Sequence, residues 1–171
     1  MLFVARESLE LLRPAMVEIG SGEWTSTGGY TLKPGARRFE TWEVGFALQL
    51  GLERAIEYAL ELGLEPIWAR VSTLADSLRE QLTAIPGATV HDLGAQRCGI
   101  VTFGHDHVAA DDLRRRLAER GINVYVSSVE DTRLDLERRG LYRIVRASVH
   151  YFNTEPELDA LCAGVAAAGR D

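Results

Sequence analysis

The sequence predicts an α+β fold, in which a small mixed or antiparallel sheet is covered by helices and follows a mainly helical segment. Two observations support this prediction. Apolar residues recur at helical spacing over about 43–62, where Gly63 ends the pattern, and again over about 65–84. From residue 88 onward, short apolar runs and helical patterns follow one another as strand, strand, helix, strand, strand, helix.

The remaining elements follow from the same patterns. Strands are predicted over 88–93, 99–103, 122–126 and 141–152, and helices over 108–120 and from Glu155 onward, with residues 127–140 forming either a loop or a short helix. Near the N-terminus, residues 2–4 are predicted to form a short strand, followed by a helical turn that Pro14 ends. Residues 19–35 have the Gly, Ser and Thr content of a loop that carries Trp24 and Tyr30.

These elements predict a division of the chain at about residue 63. Residues 1–63 have apolar stripes but only one short strand on which to pack them, whereas residues 64–171 contain the strands and helices of a small domain. Apolar stripes without a covering sheet predict an exposed apolar patch, self-association or a separate partner chain. Trp68 lies on the apolar stripe of the second helix and is expected to pack in the core.

Composition indicates an ordinary soluble protein. Hydrophobic residues make up 46% of the 171 residues, and the formal net charge of −6 argues against nucleic acid or an anionic membrane as a partner. No segment has the pattern of a membrane span or a signal peptide, so a cytoplasmic location is expected. Cys98 and Cys162 lack metal-ligand spacing and are expected to be buried free thiols.

Residues 145–159 are predicted to form a strand that leads into a capped helix. Alternation places Val145, Ala147, Val149 and Tyr151 on one face of the strand, and Arg146, Ser148 and His150 on the other. Thr154 then begins a capping box with Glu157, and Pro156 lies in the first helical turn.

Arg146 is the candidate binding residue of this segment, with Ser148 and His150 beside it. A guanidinium makes two parallel hydrogen bonds to a planar anion, so Arg146 could clamp a carboxylate ligand. An ordinary ion pair with a nearby Asp or Glu is the alternative, and spacing does not decide between them. His150 could orient Arg146 or simply pack against its neighbours.

The run from Arg146 to Asp159, Arg-Ala-Ser-x-x-x-Phe-Asn-Thr-x-x-Glu-Leu-Asp, resembles the closing motif of the class V aminotransferase family. Three other segments resemble that family in the same order. Residues 1–7 resemble the segment after the family's Schiff-base lysine, residues 36–40 its Arg-Phe-Glu element, and residues 97–103 a strand of its small domain. These enzymes use pyridoxal 5′-phosphate (PLP) and include cysteine desulfurases, carbon–sulfur lyases and epimerase-like relatives.

The resemblance implies that this chain is the C-terminal part of a fold-type I PLP enzyme. Residues 64–171 would be its small domain, and residues 1–63 a remnant of its large, cofactor-binding domain with a long linking helix. Arg146 would hold the α-carboxylate of an amino-acid substrate, Arg38 would lie near the cofactor or the domain interface, and Thr41 would be a candidate for the cofactor phosphate. The implied partner is a second copy of the chain or a chain carrying the large domain.

Departures from the family pattern limit what the chain is expected to do alone. The Schiff-base lysine is missing, and the single lysine, Lys33, is expected on an exposed turn before Pro34, so PLP is not expected to bind covalently. Residues 121–145 contain no cysteine, which favours a lyase or transaminase over a desulfurase, because a desulfurase needs a thiolate there. A catalytically silent module that binds a full-length relative or a carboxylate ligand is the alternative.

Two further motifs have competing interpretations. Glu43, where many relatives have threonine, would repel a phosphate, so Thr41 could instead cap a helix whose dipole Glu43 favours. His105 and His107 flank Asp106 with spacing that a metal could use, but no third ligand follows nearby. Capping of the helix predicted from residue 108 explains this trio without a metal.

Overall fold

The computed structural model describes residues 2–170 of the chain. Two compact units are present, one extending to Glu57 and the other beginning at Tyr58. The division falls inside a long helix, α1 (Phe46–Leu62), a few residues before the boundary predicted at residue 63. The assignment of residues 1–63 to a large-domain remnant stays a prediction.

The first unit contains a β-hairpin. Strands β1 (Gly22–Ser26) and β2 (Gly29–Leu32) pair antiparallel, with Trp24 opposite Tyr30. The loop predicted over 19–35 is therefore wrong. A tight turn that includes Gly28 and a cross-strand aromatic pair favour a hairpin, and these features outweigh the loop-like composition.

The N-terminal segment is less regular than predicted. Residues 2–5 have no regular secondary structure, which contradicts the strand predicted over 2–4, and a short 3₁₀ helix follows at Arg6–Ser8. Leu2 and Phe3 are largely exposed. A short apolar run needs a neighbouring strand with which to pair, and none of the described strands pairs with residues 2–4. A second 3₁₀ helix spans Gly35–Phe39.

The two long helices are confirmed. Helix α1 begins at Phe46 rather than near residue 43, and helix α2 spans Leu64–Thr83. Gly63 separates them with a φ of 88°, a left-handed conformation that glycine adopts without steric cost.

Helix α1 carries the predicted exposed apolar surface. None of its residues is buried in this chain. Its large exposed apolar side chains are Phe46, Leu48, Leu50, Leu52, Ile56, Tyr58, Leu60 and Leu62. They occur on several sides of the helix, as expected of a helix that other protein elements surround rather than one that lies on a single surface.

The second unit contains a four-stranded sheet in the order β3-β4-β6-β5, and every pairing is antiparallel. The elements after α2 are β3 (Ala88–Val90), β4 (Ile100–His105), α3 (Ala110–Ala118), β5 (Tyr125–Ser128), α4 (Arg133–Leu136), a 3₁₀ turn (Glu137–Arg139), β6 (Arg143–Ser148) and α5 (Glu155–Ala168). The predicted α+β class is therefore confirmed, with an antiparallel rather than a mixed sheet. Residues 127–140 contain a short helix, which was one of the two predicted alternatives.

The core lies on one face of this sheet, under α2, α3 and α5. Its largest fully buried side chains come from two strands and three helices: Phe103 and Val101 from β4, Val145 from β6, Leu74, Leu78 and Leu82 from α2, Leu113 and Leu117 from α3, and Val165 from α5. A smaller cluster of Val129, Leu136 and Ile144 packs separately. Trp68 is 45% exposed, so the core position predicted for it is wrong.

One buried ion pair ties α2 to the sheet. The Arg79 Nε donates to Asp92 Oδ2 over 2.7 Å, and both side chains are at most 6% exposed. Arg79 also donates to the carbonyl oxygens of Cys98 and Ile100, at 2.6 and 3.2 Å. Its Nη1 atom donates to Asp76 Oδ1 at 3.0 Å, so acceptors fill the guanidinium fork and the buried charge is compensated locally.

Among residues 2–170, no helix has the length and the apolar content required to cross a membrane.

Replacing Arg79 with methionine is expected to lower the free energy of unfolding by about 3–5 kcal/mol, because Asp92 would remain buried without its partner. Chemical denaturation followed by circular dichroism measures this change. Arg115→Met is the matched control, since Arg115 pairs with Asp112 and Glu119 at the surface of α3 and should have little effect. Equal effects of the two substitutions would contradict the structural importance of the buried pair.

Candidate functional site

Arg146 lies on the central strand β6, on the sheet face opposite the main core. Its immediate neighbours in β6, Val145 and Ala147, are buried in that core, whereas Arg146 is half-buried. In the antiparallel register, Thr102 of β4 and Tyr125 of β5 lie directly opposite Arg146 on its two sides. Directly opposed residues point to the same face, so the three side chains form one row across the sheet.

The guanidinium of Arg146 contacts an aromatic ring rather than a carboxylate. Its central carbon lies 4.8 Å from the centroid of the Tyr125 ring, within cation–π range. The Nε atom is enclosed and has no hydrogen-bond partner, and Arg146 forms no ion pair with any acid in the described residues. The ordinary ion pair that the sequence left open is therefore not formed within residues 2–170.

The acid that contacts this row, Asp92, is already occupied. Asp92 Oδ1 accepts hydrogen bonds from the hydroxyl and the backbone N–H of Thr102, at 2.5 and 2.8 Å, while its other oxygen accepts from Arg79. The neighbour on the opposite side of Arg146, Tyr125, is uncharged. The row thus presents one guanidinium whose positive charge is not neutralised by a contacting acid.

Ser148 and His150, the other two candidate binding residues, are exposed at the end of β6 and just beyond it. The His150 ring stacks on Phe152 with 4.5 Å between centroids and an interplanar angle of 20°, and its backbone N–H donates to the Asn153 side chain. Within the described residues, His150 makes no hydrogen bond to Arg146, so packing is the interaction that is present.

The segment after β6 is held by a charged clamp. Arg70 of α2 donates to both carboxylate oxygens of Glu155, at 2.6 and 3.1 Å, and to the Asn153 carbonyl at 3.0 Å. The hydrogen bonds from Arg70 lower the pKa of Glu155 to about 2. The predicted capping box is confirmed, and the backbone N–H of Thr154 lowers the pKa of Glu157.

The first unit holds the residues that the sequence suggested for the cofactor. Arg38 donates to the Leu9 carbonyl at 3.2 Å and lies 3.5 Å from Glu10, with its Nε enclosed and unpaired. The Thr41 hydroxyl donates to the Glu43 carbonyl at 3.2 Å. Because α1 begins at Phe46, Thr41 does not cap it, and the capping alternative is wrong.

Lys33 follows β2 and is half-buried. Its ammonium group donates to the Ile19 carbonyl at 3.2 Å. Together with Trp24, Tyr30 and Trp42, it lines an open cavity of about 670 Å³ beside the hairpin. The backbone N–H of Trp42 donates to the carboxylate of Glu18, which also lines this cavity.

The histidine trio does not build a metal site or a helix cap. His105 ends β4, and its Nδ1 accepts a hydrogen bond from the backbone N–H of His107 at 3.2 Å. Helix α3 begins at Ala110 without a side-chain cap, so the predicted capping role is wrong. No group of three or more His, Cys, Asp or Glu residues in the described part of the chain could hold a metal ion.

The two cysteines differ from each other. Cys162 is buried in α5, as predicted, and burial raises the pKa of its thiol to about 11. Cys98 is exposed just before β4, so its predicted burial is wrong. The strand that was expected to bury Cys98 begins only at Ile100.

The family comparison agrees with this architecture. The family model for aminotransferase class-V matches residues 1–161, and the chain belongs to the class V aminotransferase family. A probable cysteine desulfurase from Xylella fastidiosa (strain 9a5c) is 26% identical over 167 residues, covering 96% of this chain and 39% of the relative. The chain therefore spans about 40% of the length of that curated relative.

Solved structures of PLP-dependent enzymes share the fold. The cysteine desulfurase CsdA from Escherichia coli matches 95% of this chain and 40% of its own chain, with a TM-score of 0.79 and 24% identity. A C-DES mutant with glycine covalently linked to its PLP cofactor matches 98% of this chain and 41% of its own, with a TM-score of 0.75 and 22% identity. At these identities the likeness establishes the fold alone.

Sequence patterns identified Arg146, but they missed the two residues that flank it. Tyr125 and Thr102 belong to different strands and are far from Arg146 in the chain. Only the register of the sheet brings them together.

Replacing Arg70 with glutamine is expected to move the pKa of Glu155 from about 2 toward its ordinary value of 4.5. Because the folded-state pKa is lowered, the clamp stabilises the chain above about pH 4.5, and this contribution is lost as the pH falls toward 2. A ¹³C NMR titration of the Glu155 carboxyl measures the shift, and thermal unfolding measures the stability.

Arg133→Gln is the control for this titration, because Arg133 pairs with Glu137 on another surface helix. It should leave the Glu155 titration unchanged. A Glu155 midpoint near 4.5 in the unmodified chain would show that the clamp is not formed.

Proposed function

We propose that this chain is the C-terminal portion of a PLP-dependent enzyme that acts on an amino acid, and that Arg146 binds the α-carboxylate of the substrate. The reaction is of lyase or transaminase type rather than desulfurase type. PLP, when bound, supplies an electron sink that stabilises the negative charge developing on the substrate carbon. The role of this chain is to bind and orient the substrate.

The observation that carries this proposal is the state of Arg146. Its guanidinium lies on the sheet face away from the core, in cation–π contact with Tyr125 and without an acidic partner in the described residues. A half-buried charge that lacks a counterion is costly, so a planar anion that binds there gains charge-assisted hydrogen bonds. Ser148 and His150 are exposed beyond Arg146 and are proposed to border the same ligand.

The residues of this chain do not fit PLP as its sole binding site. Lys33 is bonded to the Ile19 carbonyl, Arg38 to the Leu9 carbonyl, and the Thr41 hydroxyl to the Glu43 carbonyl. We therefore propose that the large-domain portion supplies most cofactor contacts, with Arg38 and Thr41 contributing only after these bonds rearrange. No step of the reaction is assigned to them.

The partner in this proposal carries the large domain or is a second copy of the chain. The exposed apolar side chains of α1 support it, because a helix with no buried residue leaves an unusually large apolar area uncovered. A cytoplasmic location is part of the same proposal, since Cys98 and Cys162 are both free thiols.

The cysteines support lyase or transaminase chemistry. Transfer of sulfur to the enzyme requires an accessible thiolate, and residues 121–145 contain no cysteine. Cys162 is buried with a pKa of about 11, so it is almost entirely protonated at neutral pH. Formation of a persulfide on Cys98 during turnover of L-cysteine would overturn this part of the proposal.

A second candidate function is a catalytically silent module that binds a full-length relative or a carboxylate ligand. The bonded state of Lys33 favours it, because the chain's single lysine is occupied by a backbone carbonyl. The two candidates differ in whether adding the large-domain portion and PLP produces a spectral change that depends on an amino acid.

Replacing Arg146 with glutamine is expected to weaken amino-acid binding by about 1.5–3 kcal/mol, the range for hydrogen bonds to charged groups. The measurement combines this chain with the polypeptide carrying the large-domain portion and PLP, and follows the cofactor absorbance as the amino acid is added. Arg143→Gln is the matched control on the same strand, since Arg143 pairs with Asp111 at 2.6 Å. Unchanged affinity in Arg146→Gln would remove Arg146 from the site.

Stoichiometric PLP is expected not to attach to Lys33 of the isolated chain, because its ammonium group is hydrogen-bonded to the Ile19 carbonyl. Borohydride reduction followed by intact-mass measurement detects such an attachment. Lys33→Arg is the control for attachment at the N-terminal amine. A nearly complete adduct that disappears in Lys33→Arg would assign the cofactor to this chain.

A further inference from the structure

We infer that Tyr125 is a positioning residue for Arg146, holding the guanidinium in a fixed orientation without neutralising its charge. The inference rests on the proposed function, because it assumes that the guanidinium serves a carboxylate ligand. It adds a residue from a different strand to the site and specifies the direction from which the carboxylate binds.

The contact with Tyr125 is built into the sheet. Tyr125 and Arg146 are directly opposed in the antiparallel register of β5 and β6, and the guanidinium carbon lies 4.8 Å from the ring centroid. An aromatic face attracts a cation through its quadrupole. A glutamate at this position would also fix the arginine, but it would occupy the hydrogen-bonding fork that a ligand requires.

The enclosed Nε determines which edge of the guanidinium serves the ligand. Nε is buried without a partner, whereas the two terminal nitrogens are not enclosed in this way. The Tyr125 ring lies 4.8 Å from the guanidinium carbon and limits access from that side. The accessible donors are therefore the terminal nitrogens, and a carboxylate would bind end-on across them, in the plane of the guanidinium.

On the other flank of the row, the acid that contacts Thr102 already has partners of its own. Thr102 lies opposite Arg146 on β4, and its hydroxyl donates to Asp92. The second oxygen of Asp92 is bound by the buried Arg79. Both oxygens of Asp92 thus have partners other than Arg146, and the charge of the guanidinium is left for the ligand.

The test uses the full chain, sodium acetate as the carboxylate probe, and NMR detection of the Arg146 Nε–H signal. Without acetate, Tyr125→Leu should shift this signal, because the ring current of the aromatic side chain is lost. Tyr125→Phe keeps the ring and should retain most of the original shift. Tyr142→Leu is the matched control, since Tyr142 is 74% exposed and lies outside the row.

Acetate titration then separates positioning from simple packing. Tyr125→Leu should weaken the acetate response of Arg146 by roughly three- to tenfold, and Tyr125→Phe should restore it to within about twofold. In Tyr125→Glu, the new carboxylate should pair with Arg146 and abolish its response to acetate. This should hold even if the new ion pair raises the thermal stability of the chain. A purely structural role for Tyr125 would not give opposite effects on stability and acetate response.

The possible outcomes distinguish the inference from the proposed function. An acetate response in the unmodified chain that is equal in Tyr125→Leu overturns the positioning role alone. An absent acetate response, with the ring-current shift still present, overturns the carboxylate role of Arg146 in the proposed function. An Nε–H signal identical in the unmodified chain and Tyr125→Leu overturns the ring contact itself.

Discussion

The antiparallel pairing of β6 between β4 and β5 is the constraint on which the rest of the second unit depends. Side chains alternate along β6, so Val145 and Ala147 fill the core under the helices while Arg146 projects from the opposite face. A slip of one residue would bury the guanidinium in that core and expose both apolar side chains. The hydrophobic core and the candidate site are therefore fixed by the same register.

Charge compensation differs sharply between two arginines of the second unit. The buried Arg79 is satisfied by Asp92, Asp76 and two backbone carbonyls, which suits a structural role. Arg146 has an aromatic ring and an unpaired Nε instead, an arrangement that lowers its stability contribution but preserves its capacity to bind an anion. We propose that this anion is the α-carboxylate of an amino-acid substrate and that a partner portion carries the cofactor chemistry.

Several elements could be predicted from sequence because their signals are local. The capping box of Thr154 and Glu157 and the helical stripes of α1 and α2 depend on residues only a few positions apart. The alternation around Arg146 likewise placed it away from the core. The loop prediction failed at the hairpin of β1 and β2, because strand pairing outweighed the loop-like composition. The burial predicted for Cys98 failed because β4 begins only at Ile100.

By itself, the sequence determined the fold class, the helix boundaries marked by Gly63 and Thr154, and the candidate arginine. Hydrophobic periodicity and capping residues are encoded within single elements. Tertiary structure alone decided that Tyr125 and Thr102 flank Arg146 and that Asp92 is held by Arg79. These contacts join residues that are distant along the chain. Their pairing depends on strand register and on the packing of α2, and no local pattern specifies either.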